Sequence, residues 1–400
     1  VTGVQTCALP IFDVTLTAAE VQSQAYGTVT VTAQLQSAAS GNLSGVATVP
    51  VQYAFELPLE QVPSPFPGFG ILGFSGIQSG YNAVLLCDVN GDGLEDILIG
   101  APESNSPGIG SRSGQAFVVF GKTDNNTIYL SAVAAGSGGF AIYNNQANQF
   151  LGWDISPAGD MNGDGLADIL VDGSFNAGAG TYYAGMSYVV FGKSDGTAVW
   201  TNALGTSGYA IAGPTATTGA GTGSRDNFGS SSDAVGDFNG DGLPDLVIYS
   251  ATAGNAYVVY GKTSTSTVYA SALGTGGFAM TGLVANIGFV GRVAGGGDVN
   301  GDGLDDVVIS DPSVASNTGR MFVVYGSTDG GTLAASSSIG TRGFVVNGNT
   351  TNQFFASDVE IVGDINGDGL ADIVATDFKD RKSTRLNSSH ERISRMPSSA

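Results

Sequence analysis

Oxygen-bearing side chains at fixed spacing are the strongest chemical signal in the sequence. The segment from Asp88 to Asp96 places Asp88, Asn90, Asp92 and Asp96 at positions 1, 3, 5 and 9 of a nine-residue loop, with Gly at 4 and 6 and Leu94 at 7. The arrangement returns four times: Asp160, Asn162, Asp164, Leu166 and Asp168; Asp237, Asn239, Asp241, Leu243 and Asp245; Asp298, Asn300, Asp302, Leu304 and Asp306; Asp364, Asn366, Asp368, Leu370 and Asp372. A hard cation such as calcium takes six to eight oxygen ligands in a flexible shell. Oxygens at positions 1, 3 and 5 converge if the chain curls around a point, and the Gly at position 6 permits that curl. Position 7 can then offer its carbonyl while its Leu side chain packs inward, and the Asp at position 9 closes the shell. Without a cation, carboxylates this close repel one another and their pKa values rise. The bland alternative is a set of Asn-Gly and Asp-Gly turns with solvated acids. Five copies with the same oxygen donors favour the cation, so up to five Ca2+ ions are expected.

The loop is not an EF-hand, which needs a Glu at position 12 and flanking helices. Position 12 is Ile99, Val171, Ile248, Ile309 and Ala375. Short apolar runs such as Ile97-Leu98-Ile99 follow the loops, and Val84-Leu85-Leu86 precedes the first. Such runs read as buried strands, so each loop is expected to join two strands of a hairpin. Two further segments recur. One is an aromatic strand ending in Gly: Phe117–Gly121, Tyr188–Gly192, Tyr257–Gly261 and Phe322–Gly326. The other is Gly139–Ile142, Gly208–Ile211, Gly277–Met280 and Gly343–Val346. Each repeat then holds four strands and no convincing helix. That implies an all-β fold, a β-propeller of four-stranded blades with the acidic loops in their hairpins.

These residues resemble FG-GAP repeat proteins, the β-propeller family found at the head of integrin α subunits, in bacterial surface proteins and in GPI-specific phospholipases D. The Gly-Ala-Pro element stands at Gly100-Ala101-Pro102. The Phe-Gly element stands at Phe228-Gly229 and, loosened, at Phe150-Leu-Gly152 and Phe289-Val-Gly291; the fifth repeat has Phe354-Phe355-Ala356. The resemblance covers residues 68–378. It implies calcium held by the side chains at positions 1, 3, 5 and 9 and the carbonyl at 7, on one face of the propeller, with partners meeting the opposite face. It also implies seven blades. The five loops here account for about four and a half, either as part of a larger propeller or as an open arc. Phe69–Ile77 is a candidate outer strand of a preceding or closing blade.

The expected organisation along the chain is uneven. Val1–Ile11 and Asp380–His390 back-translate into strings that resemble short-read sequencing adapters, so residues 1–12 and 380–400 are expected not to belong to the natural protein. Residues 13–57 alternate polar and apolar and read as three or four strands, the tail of a β-sandwich. Residues 58–67 form a Pro-rich linker, and 68–379 the propeller. Ala212–Asn227 reads as a long surface loop.

Charge and residue supply narrow the function. The chain carries 14 basic and 35 acidic residues, a net charge of −21. Without the adapter-like ends the balance is 9 against 33, a net charge of −24. Such acidity argues against nucleic acid as a partner, and no membrane-inserting segment is seen. The single histidine, His390, and one of the two cysteines, Cys7, lie in the adapter-like ends. Cys87 is then expected to be a buried small hydrophobe, with no disulfide framework. Gly68–Gly73 spells a dinucleotide fingerprint but precedes no helix. The acids Glu103, Asp154, Asp172 and Asp233 fit no motif. Tyr182, Tyr183, Trp153 and Trp200 are candidates for stacking on sugar or for strand packing. The expected function is a non-enzymatic, extracellular or cell-surface propeller with structural calcium, serving adhesion or the binding of a protein or glycan ligand. The alternatives are an accessory propeller of a larger secreted enzyme of phospholipase or glycosidase type, or a carbohydrate-binding module.

Overall fold

The computed structural model describes residues 29–33, 47–51, 68–73, 79–110, 112–173, 185–214, 227–284, 291–328, 331–336 and 338–377. They fall into two compact units. In the smaller, which includes residues up to 72 and 124–127, Val29–Ala33 pairs antiparallel with Ala47–Val51. Ile71–Leu72 is a short strand, not the helix start a dinucleotide fingerprint requires. The other strands expected within 13–57 lie outside the described residues, as do Tyr182, Tyr183, Phe289 and most of the 212–227 loop.

The larger unit is a succession of five antiparallel sheets in a propeller-like all-β arrangement. The first runs Ala83–Leu85, Ile97–Ala101, Gln115–Val119, Gly139–Tyr143. The second runs Leu151–Gly159, Asp168–Gly173, Met186–Val190, Gly208–Ala212, and the third Phe228–Gly236, Asp245–Ser250, Asn255–Val259, Gly277–Thr281. The fourth runs Val293–Gly297, Asp306–Asp311, Arg320–Val324, Gly343–Asn347; the fifth pairs Phe355–Val362 with Asp372–Asp377. Every acidic loop joins the first two strands of its sheet, as the apolar flanks require.

The second, third and fourth repeats each also contain a strand that the sequence hides. Val199–Trp200 pairs parallel with the last strand of the first sheet. Val268–Tyr269 does the same for the second sheet and Gly331–Ala334 for the third. A repeat therefore completes the sheet before its own. These strands are only two to four residues long, too short to show an alternating pattern. One-turn helices also occur, correcting the expectation of none. In Leu130–Ala134 the residues Leu130 and Val133 face inward together, because positions three apart share a helix face.

Four apolar cores lie between the five sheets. Ile169 and Val171 face the first sheet and Leu170 the third; Leu246 and Ile248 face the second sheet, Val247 and Tyr249 the fourth. Alternating side chains on one strand thus feed two cores, which is why the second strands read as continuous hydrophobic runs. The innermost strands of successive sheets pack side by side. The first strand departs from this. Ala83–Leu85 has a covered face on one side only, so Leu86 is buried while Leu85 is 61% exposed. Cys87, in alternation with Leu86, is exposed and not buried as expected.

Cations join neighbouring sheets. Lys193 lies 4.8 Å over the Phe140 ring, Lys262 4.3 Å over Tyr209 and the Arg342 guanidinium 5.5 Å over Phe278. Each covers the aromatic of the preceding sheet's fourth strand. Where the fourth repeat has Ser327 at the lysine position, Arg342 from the Gly340–Arg342 turn takes over.

Candidate functional site: the acidic loops and the inner wall

All five loops use their acids on their own backbone. The position-1 carboxylate accepts N–H bonds from the glycines at 4 and 6 at 2.6–2.9 Å, for Asp88, Asp160, Asp237, Asp298 and Asp364 alike. These glycines hold φ of about +74° to +90°, a region open to Gly and strained for other residues. The position-5 carboxylates of Asp92, Asp164, Asp241, Asp302 and Asp368 accept the N–H of Leu94, Leu166, Leu243, Leu304 and Leu370. In the first four loops the position-3 amides of Asn90, Asn162, Asn239 and Asn300 exchange two bonds with position 5.

Position 9 is different. Asp96, Asp168, Asp245 and Asp306 are fully buried. One oxygen of each accepts the N–H of position 2. The other accepts the N–H of the glycine that ends the third strand, Gly121, Gly192, Gly261 or Gly326, at 2.7–2.8 Å. A Cβ on those glycines would come within 2.4–2.6 Å of the loop's own backbone or Leu side chain. The recurring aromatic-Gly ending is thus the dock of the ninth Asp. Burial pushes Asp168, Asp245 and Asp306 up to about 7, with like charge from the loop's position-5 acids adding to it. Backbone donors, led by Gly93 and Gly369, hold Asp88 and Asp364 below the ordinary range. The apolar residue at position 2 was passed over in the sequence: Val89, Met161 and Phe238 are fully buried plugs beneath the loop.

The fifth loop departs from the other four. Asn366 donates to both oxygens of Asp372, at 2.9 and 3.1 Å, where a strand-ending glycine donates in the others. Asp372 and Ile365 are correspondingly less buried.

Among the described residues no three carboxylate, thiol or imidazole groups converge as a ready-made metal cage. The donor set nevertheless fits a hard cation. It is all oxygen, one oxygen of every loop carboxylate accepts no more than a single N–H bond and so keeps a lone pair, and the buried ninth Asp of each of the first four loops feels like charge from position 5. Asp88, Asn90, Asp92, Asp96 and the Leu94 carbonyl, with their counterparts, are the residues that would hold it.

A second acidic group had no signature. Asp154, Asp172 and Asp233 come together where the inner strands of the second, third and fourth sheets meet. Asp154 accepts the Ser232 N–H at 2.8 Å; Asp233 accepts the Gly295 N–H at 3.1 Å and the Ser156 hydroxyl at 3.2 Å. Asp172, fully buried, accepts the hydroxyls of Ser187 and Ser232. Burial raises Asp154 and Asp233 to about 6 and Asp172 well above the usual range. Arg292 opposes the shift of Asp154, while Asp154 adds to those of Asp172 and Asp233. Asp172 occupies the place in its repeat that Gly100 of Gly-Ala-Pro holds in the first. In the first pair of sheets a Cβ on Gly100 would come within 2.4 Å of the Gly152 carbonyl oxygen; in the second, a Cβ on Gly229 would lie 2.5 Å from Asp172 Oδ1. The Phe-Gly glycine of one repeat therefore seats against the Gly-Ala-Pro position of the repeat before it. Glu103 is exposed and apart from this group. Trp153 packs 5.2 Å from Tyr81, and Trp200 5.2 Å from Tyr143, so both half-buried tryptophans take part in strand packing.

Comparison with known proteins agrees with this geometry. Over 121 residues, 28% of this chain, the sequence is 27% identical to the phosphatidylinositol-glycan-specific phospholipase D of Dictyostelium discoideum. The match spans 12% of that protein's length. The FG-GAP repeat family model matches residues 80–130, which contain the first acidic loop, and 228–270, which contain the third. The chain therefore carries FG-GAP repeats, at two places recognised by the family model, within a propeller-like all-β fold.

Proposed function

We propose that the chain is a non-catalytic β-propeller interaction module, held together by structural calcium and working outside the cell or at its surface. The observation that carries this reading is the fivefold recurrence of one all-oxygen loop, whose ninth Asp is buried and docked under its sheet in the first four copies. Extracellular calcium modules bind at about 10⁻⁴–10⁻³ M. At tenfold excess calcium each site would add about 1.4 kcal/mol by mass action, and five would add about 7 kcal/mol as an upper bound. That is comparable with the whole stability of a typical domain. The partner is a protein or glycan met by surfaces other than the loops; the acidity of the chain disfavours nucleic acid. No helix among the described residues is long and apolar enough to cross a membrane. Thermal melting in calcium and in chelator is the test, and an unmoved transition would refute the structural role.

The similarity to a phospholipase D favours one second reading, an accessory propeller beside a catalytic domain. A catalytic domain encoded in the same gene product would move that reading ahead of adhesion.

A further inference from the structure

The loops touch one another in sequence order. The position-8 N–H of one loop donates to the carbonyl of the position-1 Asp in the loop before it: Ala167 to Asp88 at 3.0 Å, Asp305 to Asp237 at 3.2 Å and Ala371 to Asp298 at 2.9 Å. Between the second and third loops that donor is missing, because position 8 is Pro244 and proline has no N–H. The position-7 Leu follows the same division. Its Cδ2 would lie 3.0–3.2 Å from a Cβ on the preceding loop's position-4 Gly at the three bonded junctions, and 3.6 Å at the proline junction. The third and fourth loops are joined twice, since Asp305 Oδ2 also accepts the Asp237 N–H at 2.9 Å. Gly236 makes room for that carboxylate, which a Cβ would meet at 2.1 Å.

We propose that the calcium sites are coupled in two groups, loops one and two and loops three to five, with Pro244 as the break between them. This rests on calcium binding as proposed above. Position 8 lies between two expected ligands of its own loop, the carbonyl at 7 and the carboxylate at 9. The carbonyl it holds belongs to the first ligand of the neighbouring loop. An ion that orders one loop therefore fixes the donor, and an ion in the neighbour fixes the acceptor of the same bond. Ordering paid once is not paid again, so each ion raises the other's affinity, reciprocally. Across Pro244 no such bond exists to carry the effect.

The test is a calcium titration of the whole chain followed by the amide NMR signals of the position-6 glycines, which report each loop separately. Asp302→Ala disables the fourth loop. It is expected to weaken calcium binding at loops three and five by about fivefold and to leave loops one and two as they were. Asp164→Ala is expected to weaken loop one and spare loops three to five. Pro244→Ala restores an N–H, and in that background Asp302→Ala is expected to weaken loop two as well. Unchanged affinities at loops three and five in Asp302→Ala overturn the coupling, as does a response of loop two while Pro244 is present. Failure of every loop in the wild-type chain to bind calcium overturns the calcium reading itself, a different outcome from independent sites.

Discussion

The acidic loops and the inner wall both gather carboxylates, and they manage the repulsion differently. In a loop, backbone N–H groups bind each acid, those on the first acid coming from glycines in left-handed conformation, and each carboxylate keeps an oxygen lone pair that a cation could use. On the inner wall, Asp154, Asp172 and Asp233 are bound by serines and by amides of the next sheet, with Arg292 opposing the shift of Asp154. The loop arrangement is repeated and, on the calcium reading proposed above, draws on an ion. The wall arrangement occurs once among the described residues, and its burial favours the protonated acids. Buried negative charge must be neutralised by one means or the other.

The largest test of that contrast is chelation. Removing calcium is expected to lower stability by up to about 7 kcal/mol, read as a fall in melting temperature that restored calcium reverses. The wall should not respond. Next, Gly152→Ala strikes the seat of Phe-Gly against Gly-Ala-Pro. Gly152 has φ of +86°, and its Cβ would come within 2.6 Å of the Gln115 carbonyl oxygen. Left-handed strain and overpacking together predict a loss of about 2–4 kcal/mol in denaturant melts, whether or not calcium is present.

The wall itself is tested by pH. Asp154 and Asp233 titrate near 6 in the fold against about 3.9 unfolded. The folded state thus holds protons more tightly, and their stabilising contribution is complete below about pH 4 and lost as pH rises through about 6. The groups facing them are Asp172 and Arg292, with Glu360 beside Asp233. Asp154→Asn with Asp233→Asn keeps acceptors for the Ser232 and Gly295 amides while removing both charges. The double variant should be more stable than the parent by about 1–2 kcal/mol at pH 7.5 and show a flatter profile between pH 4 and 6. An unchanged slope would show that the wall acids are not the titrating groups. The smallest effect is expected from Lys262→Met, which keeps the aliphatic cover on Tyr209 and removes the charge. A loss of about 0.5–1 kcal/mol is expected in denaturant melts.

The loops, the hairpins they join and the fourth strands were legible in the sequence because repetition turns weak local signals into strong ones. Position 7 and the strand-ending glycines were visible too, though not the reason for those glycines, since the ninth Asp reaches its dock from 16 to 25 residues away. The wall acids were invisible for a related reason. Asp154, Asp172 and Asp233 sit on three strands of two repeats, and their meeting follows from how sheets stack. Cys87 was misjudged because the first inner strand has one covered face, and an apolar run cannot report which face that is.

The borrowed fifth strand puts the unit of sequence and the unit of architecture out of phase. Val199–Trp200, Val268–Tyr269 and Gly331–Ala334 each complete a sheet begun one repeat earlier. Every such repeat presents the same surfaces: an inner strand forward to the sheet that follows and a short strand back to the one that precedes. Duplication or loss of a whole repeat by recombination would therefore rejoin matching halves and leave no unpaired edge inside the array. In such a chain, blade number is a quantity that evolution can change in single steps, whereas a sheet made from one contiguous segment would share no strand with its neighbour.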